Sequence, residues 1–189
     1  GDDTHQFTGS LSISGSRIVF KDGYLGTKLG IDAGLNTGTG TENTYIGYLA
    51  GKGASGNDAY NTGIGSFALY AITDGNSNVA VGIDVGTALT TGDNNMLIGR
   101  QAGNTMTGTS NTILIGYGAG TAINSTDADG TVAIGHQAGL AITSGQESVL
   151  IGRQAGQTLT TGDANTAVGH YALYHNVTGN RNTAIGRGA

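Results

Sequence analysis

The sequence predicts an all-β protein, a parallel β-solenoid of about ten 17-residue coils, and three observations support this. A glycine preceded by an aliphatic residue recurs along the chain, and seven of the nine intervals between its copies are 17 residues. The positions around it keep their chemistry from copy to copy. The chain also contains 36 Gly and no Pro in 189 residues, and it is the order of these glycines that argues against a disordered linker. The ten anchor glycines are Gly30, Gly47, Gly65, Gly82, Gly99, Gly116, Gly135, Gly152, Gly169 and Gly186.

Seventeen residues are too few for a pair of helices, and β-branched runs bounded by Gly and Asn favour short strands. We expect two strands of about four or five residues in each coil, joined by tight bends. The anchor glycines and a second set, ten residues further on, are expected to supply the positive φ of these bends. The second set is Gly40, Gly75, Gly92, Gly145, Gly162 and Gly179. A polar column four residues before the anchor predicts a ladder of side-chain hydrogen bonds between coils; it comprises Asn43, Asn61, Asn78, Asn95, Thr112, Thr131, Ser148, Asn165 and Asn182.

The strand before each anchor glycine is apolar at consecutive positions. We expect the Leu, Ile or Val immediately before the glycine to fill the interior of the coil. The residue two before the glycine then points the other way, and it is small or apolar as well. A strand that is apolar on both faces is buried on both faces, so this second column is predicted to contact other chains; the alternative is a surface strand that tolerates alanines. The column is Ala80, Leu97, Leu114, Ala133, Leu150, Ala167 and Ala184.

Two parts of the chain are distinguished by pattern. Residues 1–23 lie outside the repeat and alternate around Gly15-Ser16, which predicts an N-terminal β-hairpin that caps the first coil. Residues 24–189 form the repeat array.

Composition and charge exclude several kinds of partner and site. The net charge of −5 argues against nucleic acid as a partner. The absence of Cys excludes disulfides and thiolate metal sites, and no apolar run is long enough for membrane insertion.

The strings Asn165-Thr166-Ala167-Val168-Gly169 and Asn182-Thr183-Ala184-Ile185-Gly186 resemble the head repeats of YadA-like trimeric autotransporter adhesins. They resemble still more the Asn-Thr-Ala-Ile-Gly arrays of phage tail fibres. This resemblance covers residues 24–189 and implies a left-handed β-roll assembled as a homotrimer, with the column above at the trimer interface. It also implies a location on a virion tail fibre or an extracellular cell surface. In such fibres a self-cleaving chaperone often follows the array, so an end at Ala189 suits processing and equally suits truncation.

Two sets of residues are candidates for ligand binding. From the fifth coil onward, each residue directly after an anchor glycine is basic or aromatic. These residues are Arg100, Tyr117, His136, Arg153, His170 and Arg187. They suit a groove for an anionic or polar glycan, and equally a solvated edge or an interchain contact. A second cluster in the early coils comprises Tyr45, Tyr48, Tyr60, Phe67 and Tyr70. Tyrosines of this kind stack on sugar rings or serve as packing, and Tyr48 and Tyr70 are the residues of this cluster that we expect to bind ligand.

Signals for catalysis and for metals are weak. No pair of carboxylates has the arrangement that glycan cleavage requires, so no enzymatic activity and no cofactor are expected. Asp127-Ala128-Asp129-Gly130 resembles the start of a calcium loop. The position of the later bidentate Glu holds Ala138 instead, so an ordinary polar turn is predicted and no metal site.

The sequence thus predicts a structural and adhesive fibre segment, from a phage tail fibre or a surface adhesin, that displays a receptor- or glycan-binding surface for attachment. The alternative is an ice-binding solenoid, because Thr90-Thr91, Thr143-Ser144 and Thr160-Thr161 would form part of a hydroxyl ladder. A glycan-depolymerising tailspike is the third hypothesis, and it lacks the required carboxylate pair.

Overall fold

The computed structural model describes residues 26–36, 38–53 and 56–189, which form a parallel β-solenoid of about nine turns. The prediction of an all-β parallel solenoid is confirmed. Each coil contributes one strand of three residues, and the ten strands form one sheet in chain order. The strands are β1 (Thr27–Leu29), β2 (Thr44–Ile46), β3 (Thr62–Ile64), β4 (Val79–Val81), β5 (Met96–Ile98), β6 (Ile113–Ile115), β7 (Val132–Ile134), β8 (Val149–Ile151), β9 (Thr166–Val168) and β10 (Thr183–Ile185).

The register of the sheet follows the repeat without a slip. Leu97 of β5 pairs with Leu114 of β6, and Leu114 pairs with Ala133 of β7, although the coil between β6 and β7 has 19 residues. A 3₁₀ turn at Thr126–Ala128 accommodates the two extra residues outside the sheet. Equivalent residues therefore stack at the strand spacing of about 4.8 Å, and the nine intervals span about 43 Å.

The expectation of two strands per coil is wrong, because the wall opposite the sheet consists of turns. After each anchor glycine from Gly30 to Gly169, the residues two and four positions further on adopt positive φ. Gln101 (61°) and Gly103 (56°) are examples. Alternating left-handed residues cannot form an extended strand. Backbone hydrogen bonds still join these turns from coil to coil, as from Gly103 N to Ala119 O at 3.0 Å.

The glycines of the second predicted set are required for space rather than for conformation. None of them has positive φ, in contrast to the anchor glycines. A Cβ on Gly92 would lie 2.0 Å from the carbonyl oxygen of Thr109 in the next coil, and one on Gly162 would lie 2.3 Å from that of Gly179. Close approach of stacked backbones, not bend geometry, therefore selects glycine at this position.

The assignment of the two strand faces is also wrong. The column predicted to contact other chains lies inside the chain's own coil, where it is buried together with the small and aliphatic residues of the opposite wall. The Leu, Ile or Val before each anchor glycine points outward instead and is partly or largely exposed. The interior of a 17-residue coil is narrow, so it accepts one Ala or Leu per strand. The corrected residues, now core, are Ala80, Leu97, Leu114, Ala133, Leu150, Ala167 and Ala184.

The predicted polar ladder is confirmed inside the coil in two stretches, from Asn43 to Thr112 and from Ser148 to Asn182. Thr131, between them, donates instead to the Gly145 carbonyl. Asn78 Nδ2 donates to Asn61 Oδ1 at 3.1 Å and to the Gly92 carbonyl at 2.8 Å. Asn78 Oδ1 in turn accepts from the backbone N–H of Asn95 at 3.0 Å. The buried amides thus satisfy the backbone groups where the chain turns into the strand, as burial of polar groups requires.

A further ladder runs along the corner before the strand. Asp93 Oδ1 accepts from Asn76 N at 2.7 Å, and Asp129 Oδ1 accepts from Ser110 N at 2.6 Å. The acidic residues of this corner therefore hold successive turns together.

The predicted cap at residues 1–23 lies outside the described residues. Nowhere in residues 26–36, 38–53 and 56–189 is there a helix with the length and apolarity needed to cross a membrane.

Candidate functional site

The residue after each anchor glycine lies just beyond the C-terminal end of its strand. We call this line of strand ends, which runs along the rod, the edge of the sheet. The backbone fixes the position of each residue on it. The chain leaves the strand through the anchor glycine and enters a left-handed residue two positions later. The N–H of that residue donates to the carbonyl of the equivalent edge residue in the preceding coil, as from Gly118 N to Arg100 O at 3.0 Å and from Gln137 N to Tyr117 O at 2.8 Å. The side chains at this edge therefore form a column along the rod.

The structure brings together the predicted basic and aromatic residues in this column. The Arg100 guanidinium lies over the Tyr117 ring, with 5.8 Å between Cζ and the ring centroid. On the other side, the rings of Tyr117 and His136 stack at 5.4 Å. Arg153 lies 5.9 Å over the Tyr171 ring, and His170 stacks on that ring at 3.9 Å. We call the set Arg100, Tyr117, His136, Arg153, His170 and Arg187 the arginine–aromatic ladder.

The early aromatic cluster is only partly one site. Tyr48 contacts Phe67 edge to face at 5.4 Å, and Phe67 contacts Tyr70 at 5.6 Å. These three residues form a tyrosine patch on the same side of the rod as the arginine–aromatic ladder, in which Tyr48 is exposed and Phe67 and Tyr70 are partly buried. Tyr45 is fully buried inside the coil, and Tyr60 is exposed at the corner before the strand. Neither of these two residues belongs to the patch.

The arginine–aromatic ladder is supported by residues that the sequence reasoning did not single out. Gln154 Nε2 donates to Gln137 Oε1 at 3.2 Å, and Gln157 Nε2 donates to the same oxygen at 3.0 Å. Tyr171 and Tyr174 extend the aromatic contacts, with their rings edge to face at 5.0 Å. These residues occupy other positions of the coil, so only the side-by-side arrangement of coils brings them to the ladder.

A second surface is the outer face of the sheet. In β4 to β8 both outward residues of each strand are apolar, and the middle residue alone points into the core. Met96 is 41% exposed and Ile151 is 37% exposed. In the described part of the chain, no second sheet lies over this face. We call the outward residues of β4 to β8 the apolar strip: Val79, Val81, Met96, Ile98, Ile113, Ile115, Val132, Ile134, Val149 and Ile151.

The candidate calcium loop has a structural use. Ser125, which precedes the loop, caps the 3₁₀ turn by accepting through its Oγ from Asp127 N at 3.1 Å, and Asp129 belongs to the corner ladder. Across residues 26–36, 38–53 and 56–189, no group of three or more His, Asp or Glu side chains could hold a metal ion.

Threonine hydroxyls of the predicted hydroxyl ladder form hydrogen bonds within the chain. Thr90 Oγ1 donates to the Thr107 carbonyl at 3.0 Å, and Thr143 Oγ1 donates to the Thr160 carbonyl at 3.3 Å. Thr160 Oγ1 donates to Val177 in the same way. Because these hydroxyl protons bind the next coil, the arrangement does not favour a surface that donates a regular array of hydrogen bonds to ice.

The geometry therefore offers two surfaces: an apolar strip on the sheet and a column of basic and aromatic side chains along its edge. In comparisons with known proteins, no family model, no curated protein and no solved structure matches this chain.

Proposed function

We propose that this chain is a structural and adhesive segment of a homotrimeric fibre, a phage tail fibre or a cell-surface adhesin, that displays a receptor- or glycan-binding surface for attachment. The observation that carries the proposal is the apolar strip. Its residues stack in register over five strands, and Ile151 and Met96 remain exposed in the single chain. A continuous apolar surface of this kind is typical of an interface between proteins.

Self-association is the use that best fits a strip of this shape. The strip repeats at the strand spacing in an unbroken register, and it consists mostly of β-branched and aliphatic residues that interdigitate well. Identical strips on parallel copies can face a common axis, since closed cyclic symmetry is the usual arrangement of homo-oligomers. The number three comes from the resemblance of the repeats to trimeric fibres. The corrected trimer interface is thus the outer face of the sheet, not the Ala and Leu column of the core.

The adhesive part of the proposal is supported by the arginine–aromatic ladder and the tyrosine patch. Tyr48 and Tyr117 are 48% and 42% exposed, and both project from the edge of the sheet. A regular column of similar side chains can meet a repeating polymer at several points. Three copies of it on one fibre raise the overall affinity through effective concentration. The proposal places the fibre on the outside of a virion or cell and assigns it no catalytic step.

The assembly is tested with Ile115→Asp, which places a charge in the middle of the apolar strip. We expect the wild type to show the mass of a trimer by light scattering and the variant to show the mass of a monomer, because burying three like charges costs several kcal/mol. Thr161→Asp is the matched control, since Thr161 is exposed on a turn away from the strip. A monomeric wild type, or a variant that remains trimeric with unchanged melting, would contradict the proposal.

The attachment surface is tested by adsorption of the fibre to polysaccharide-bearing cells. We compare the wild type with Arg100→Ala/Arg153→Ala, which alters the arginine–aromatic ladder, and with Tyr48→Ala/Tyr70→Ala, which alters the tyrosine patch. Loss in the first pair assigns attachment to the ladder, and loss in the second pair assigns it to the patch. If neither the wild type nor the variants adsorb to any cell tested, the result argues against an adhesive role. The proposal of a trimeric fibre would stand.

A further inference from the structure

We propose that the arginine–aromatic ladder binds an acidic polysaccharide that lies extended along the rod. This inference names the ligand class of the attachment surface and so rests on the proposed adhesive function. Four features carry it: the separation of charge across the coil, the absence of acidic partners for the arginines, the surroundings of the aromatic rings and the spacing of the cations.

Charge is separated onto two sides of the rod from the fifth coil onward. The part of each coil that follows the anchor glycine contains no Asp and no Glu in residues 100–106, 117–123, 136–142, 153–159, 170–176 and 187–189. The acidic residues of these coils all lie in the other part, near the corner ladder; they are Asp93, Asp127, Asp129, Glu147 and Asp163. A protein with a net charge of −5 thus keeps one side on which the fixed charges are positive, and this side attracts anions.

Two arginines of this side, Arg100 and Arg153, contact aromatic rings instead of carboxylates. Lys52, elsewhere on the rod, approaches Asp32 at 3.9 Å. Arg100 and Arg153 form no such ion pair with any described residue, and each lies over a tyrosine ring of the following coil. Cation–π contact orients a guanidinium while leaving its N–H groups unneutralised. These N–H groups match the oxygens of a carboxylate or a sulfate.

The aromatic rings on this side of the rod already have guanidinium and imidazole neighbours. Tyr117 lies between the Arg100 guanidinium of the preceding coil and the His136 ring of the following coil, and it remains 42% exposed. The Tyr171 ring is covered by His170 at 3.9 Å and also contacts the Arg153 guanidinium. A sugar ring that stacked on these aromatics would therefore compete with the neighbouring guanidinium and imidazole groups. The ladder residues that are exposed present guanidinium, hydroxyl and imidazole groups, which suit an oxygen-rich, negatively charged ligand; these residues are Arg100, Tyr117, His136, Arg153 and Arg187. His170 contributes less, because its Nε2 atom is buried without a hydrogen-bond partner.

The spacing of the cations favours a polysaccharide over a nucleic acid. Arg153 and Arg187 are two coils apart, about 10 Å, and Arg100 and Arg153 are three coils apart, about 14 Å. Duplex DNA carries one negative charge for every 1.7 Å or so of its axis, which calls for a denser basic surface. A polysaccharide with acid groups on only some of its rings matches sparse cations, and its hydroxyls match the Tyr hydroxyl and His imidazole groups between them.

Binding is measured with the 189-residue protein and three probes of matched size: dextran, dextran sulfate and polygalacturonate. We expect the two anionic polymers to bind and neutral dextran not to bind. Binding should weaken as sodium chloride is raised from 0.05 to 0.3 M or thereabouts, because displaced counterions oppose it. Dextran and dextran sulfate share a backbone, so their difference isolates the charge, and polygalacturonate tells carboxylate from sulfate.

The variant is Arg100→Gln/Arg153→Gln/Arg187→Gln, and Arg181→Gln is the matched control. Arg181 is also exposed and also near the C-terminal end, yet it lies on the acidic side of the rod. We expect the triple variant to lose affinity for the anionic polymers by about tenfold or more and the control to change less than about twofold, since each exposed ion pair contributes a small amount. Light scattering on the triple variant and on the control measures whether each is still a trimer.

Duplex DNA is added as a fourth probe. Three results would overturn the inference: equal binding by the triple variant, equal binding of dextran and dextran sulfate, or tighter binding of duplex DNA than of either anionic polymer. Loss of binding together with loss of the trimer would assign the arginines to an interchain contact and would overturn it as well. The two proposals fail separately. A trimer that binds no anionic polymer rejects this inference alone, whereas a monomer that binds dextran sulfate through these arginines rejects the trimer alone.

Discussion

The Tyr45 hydroxyl donates a 2.6 Å hydrogen bond to Asp58 Oδ2 inside the early coils, and both residues are fully buried. The other carboxylate oxygen, Asp58 Oδ1, has no hydrogen-bond partner. Most other coils place glycine at the position of Asp58. The wide Tyr45 ring is accommodated because the next strand has Gly63 in place of Ala or Leu, where a Cβ would lie 3.0 Å from the ring. The early coils thus contain a polar pair where later coils contain aliphatic core.

This pair predicts a pH dependence of stability. Burial raises the pKa of Asp58 above its ordinary value of 3.8, although the hydrogen bond from Tyr45 lowers it in part. The folded state therefore holds the proton more tightly than the unfolded state. The free energy of unfolding falls as the pH rises from about 3.8 through the raised pKa and stays lower above it.

Replacement of Asp58 by Asn should remove this fall, because the amide carries no charge to desolvate. We expect Asp58→Asn to unfold at higher urea concentration than the wild type at pH 7 and to lose less stability between pH 4 and pH 7. Asp74→Asn is the control, since Asp74 is exposed and Asn retains the oxygen that accepts from Asn57 N. A wild-type pH profile in Asp58→Asn would contradict the expectation.

The assignment of Leu114 to the core predicts the cost of truncating it. Leu114 is fully buried among aliphatic residues in the single chain. Leu114→Ala should therefore lower the free energy of unfolding by about 2–5 kcal/mol through lost burial and the cavity left behind. Leu114→Met, which keeps the volume, should cost less than about 1.5 kcal/mol. Urea unfolding at several protein concentrations measures both, and a loss in Leu114→Ala no greater than in Leu114→Met would contradict the core position.

The repeat period was enough to predict the solenoid, the stacking of columns and the Asn ladder. Each of these follows from identity between coils, which the sequence displays directly. Asn61, Asn78 and Asn95 lie 17 residues apart, and their amides meet because one coil is one turn. The arginine–aromatic ladder was predictable for the same reason, since Arg100 and Tyr117 are equivalent residues of adjacent coils.

The two faces of the strand could not be distinguished in this way. Ile113, Leu114 and Ile115 are all apolar, so alternation shows which residues share a face but not which face is inside. Size was the missing criterion: the inward column includes several Ala and one Gly, and the outward columns are mostly β-branched. The turn wall was missed because Gln101, Gln137 and other residues adopt positive φ without being glycine. Their conformation is imposed by hydrogen bonds to neighbouring coils.

The Asn ladder predicts a large loss from a single truncation. Asn78→Ala removes the donor to the Gly92 carbonyl and the acceptor for Asn95 N, and both of these backbone groups lie in a buried region. We expect the free energy of unfolding to fall by about 2–4 kcal/mol, since each unsatisfied buried group costs roughly 1–3 kcal/mol. Asn124→Ala, at an exposed position, should change it by less than about 0.5 kcal/mol. Equal effects of the two substitutions would show that the ladder contributes nothing specific.

Chelation is predicted to leave stability unchanged. Asp129 accepts from Ser110 N at 2.6 Å, and Ser125 caps the short turn, so these groups already have partners. Treatment with EDTA, or addition of calcium, should therefore leave the melting temperature within error. A shift of more than about 5 °C, which exceeds what roughly 1 kcal/mol produces in a protein of this size, would reveal a metal site.

The stacking of anchor glycines predicts a sharp contrast between two Gly→Ala substitutions. Gly135 has φ of 138°, and a Cβ there would lie 2.4 Å from the Gly152 carbonyl oxygen in the next coil. Gly135→Ala therefore combines an unfavourable backbone conformation with a clash against backbone, and we expect a loss of about 3 kcal/mol or more, or failure to fold. Gly108 has no such φ, and its Cβ would meet only the side chains of Thr126 and Thr91, at 3.1 and 3.3 Å. Because those side chains can shift, Gly108→Ala should change stability by less than about 1 kcal/mol. Circular dichroism and urea unfolding of the two variants measure the contrast, and a folded Gly135→Ala as stable as Gly108→Ala would mean that the coils do not stack at this distance.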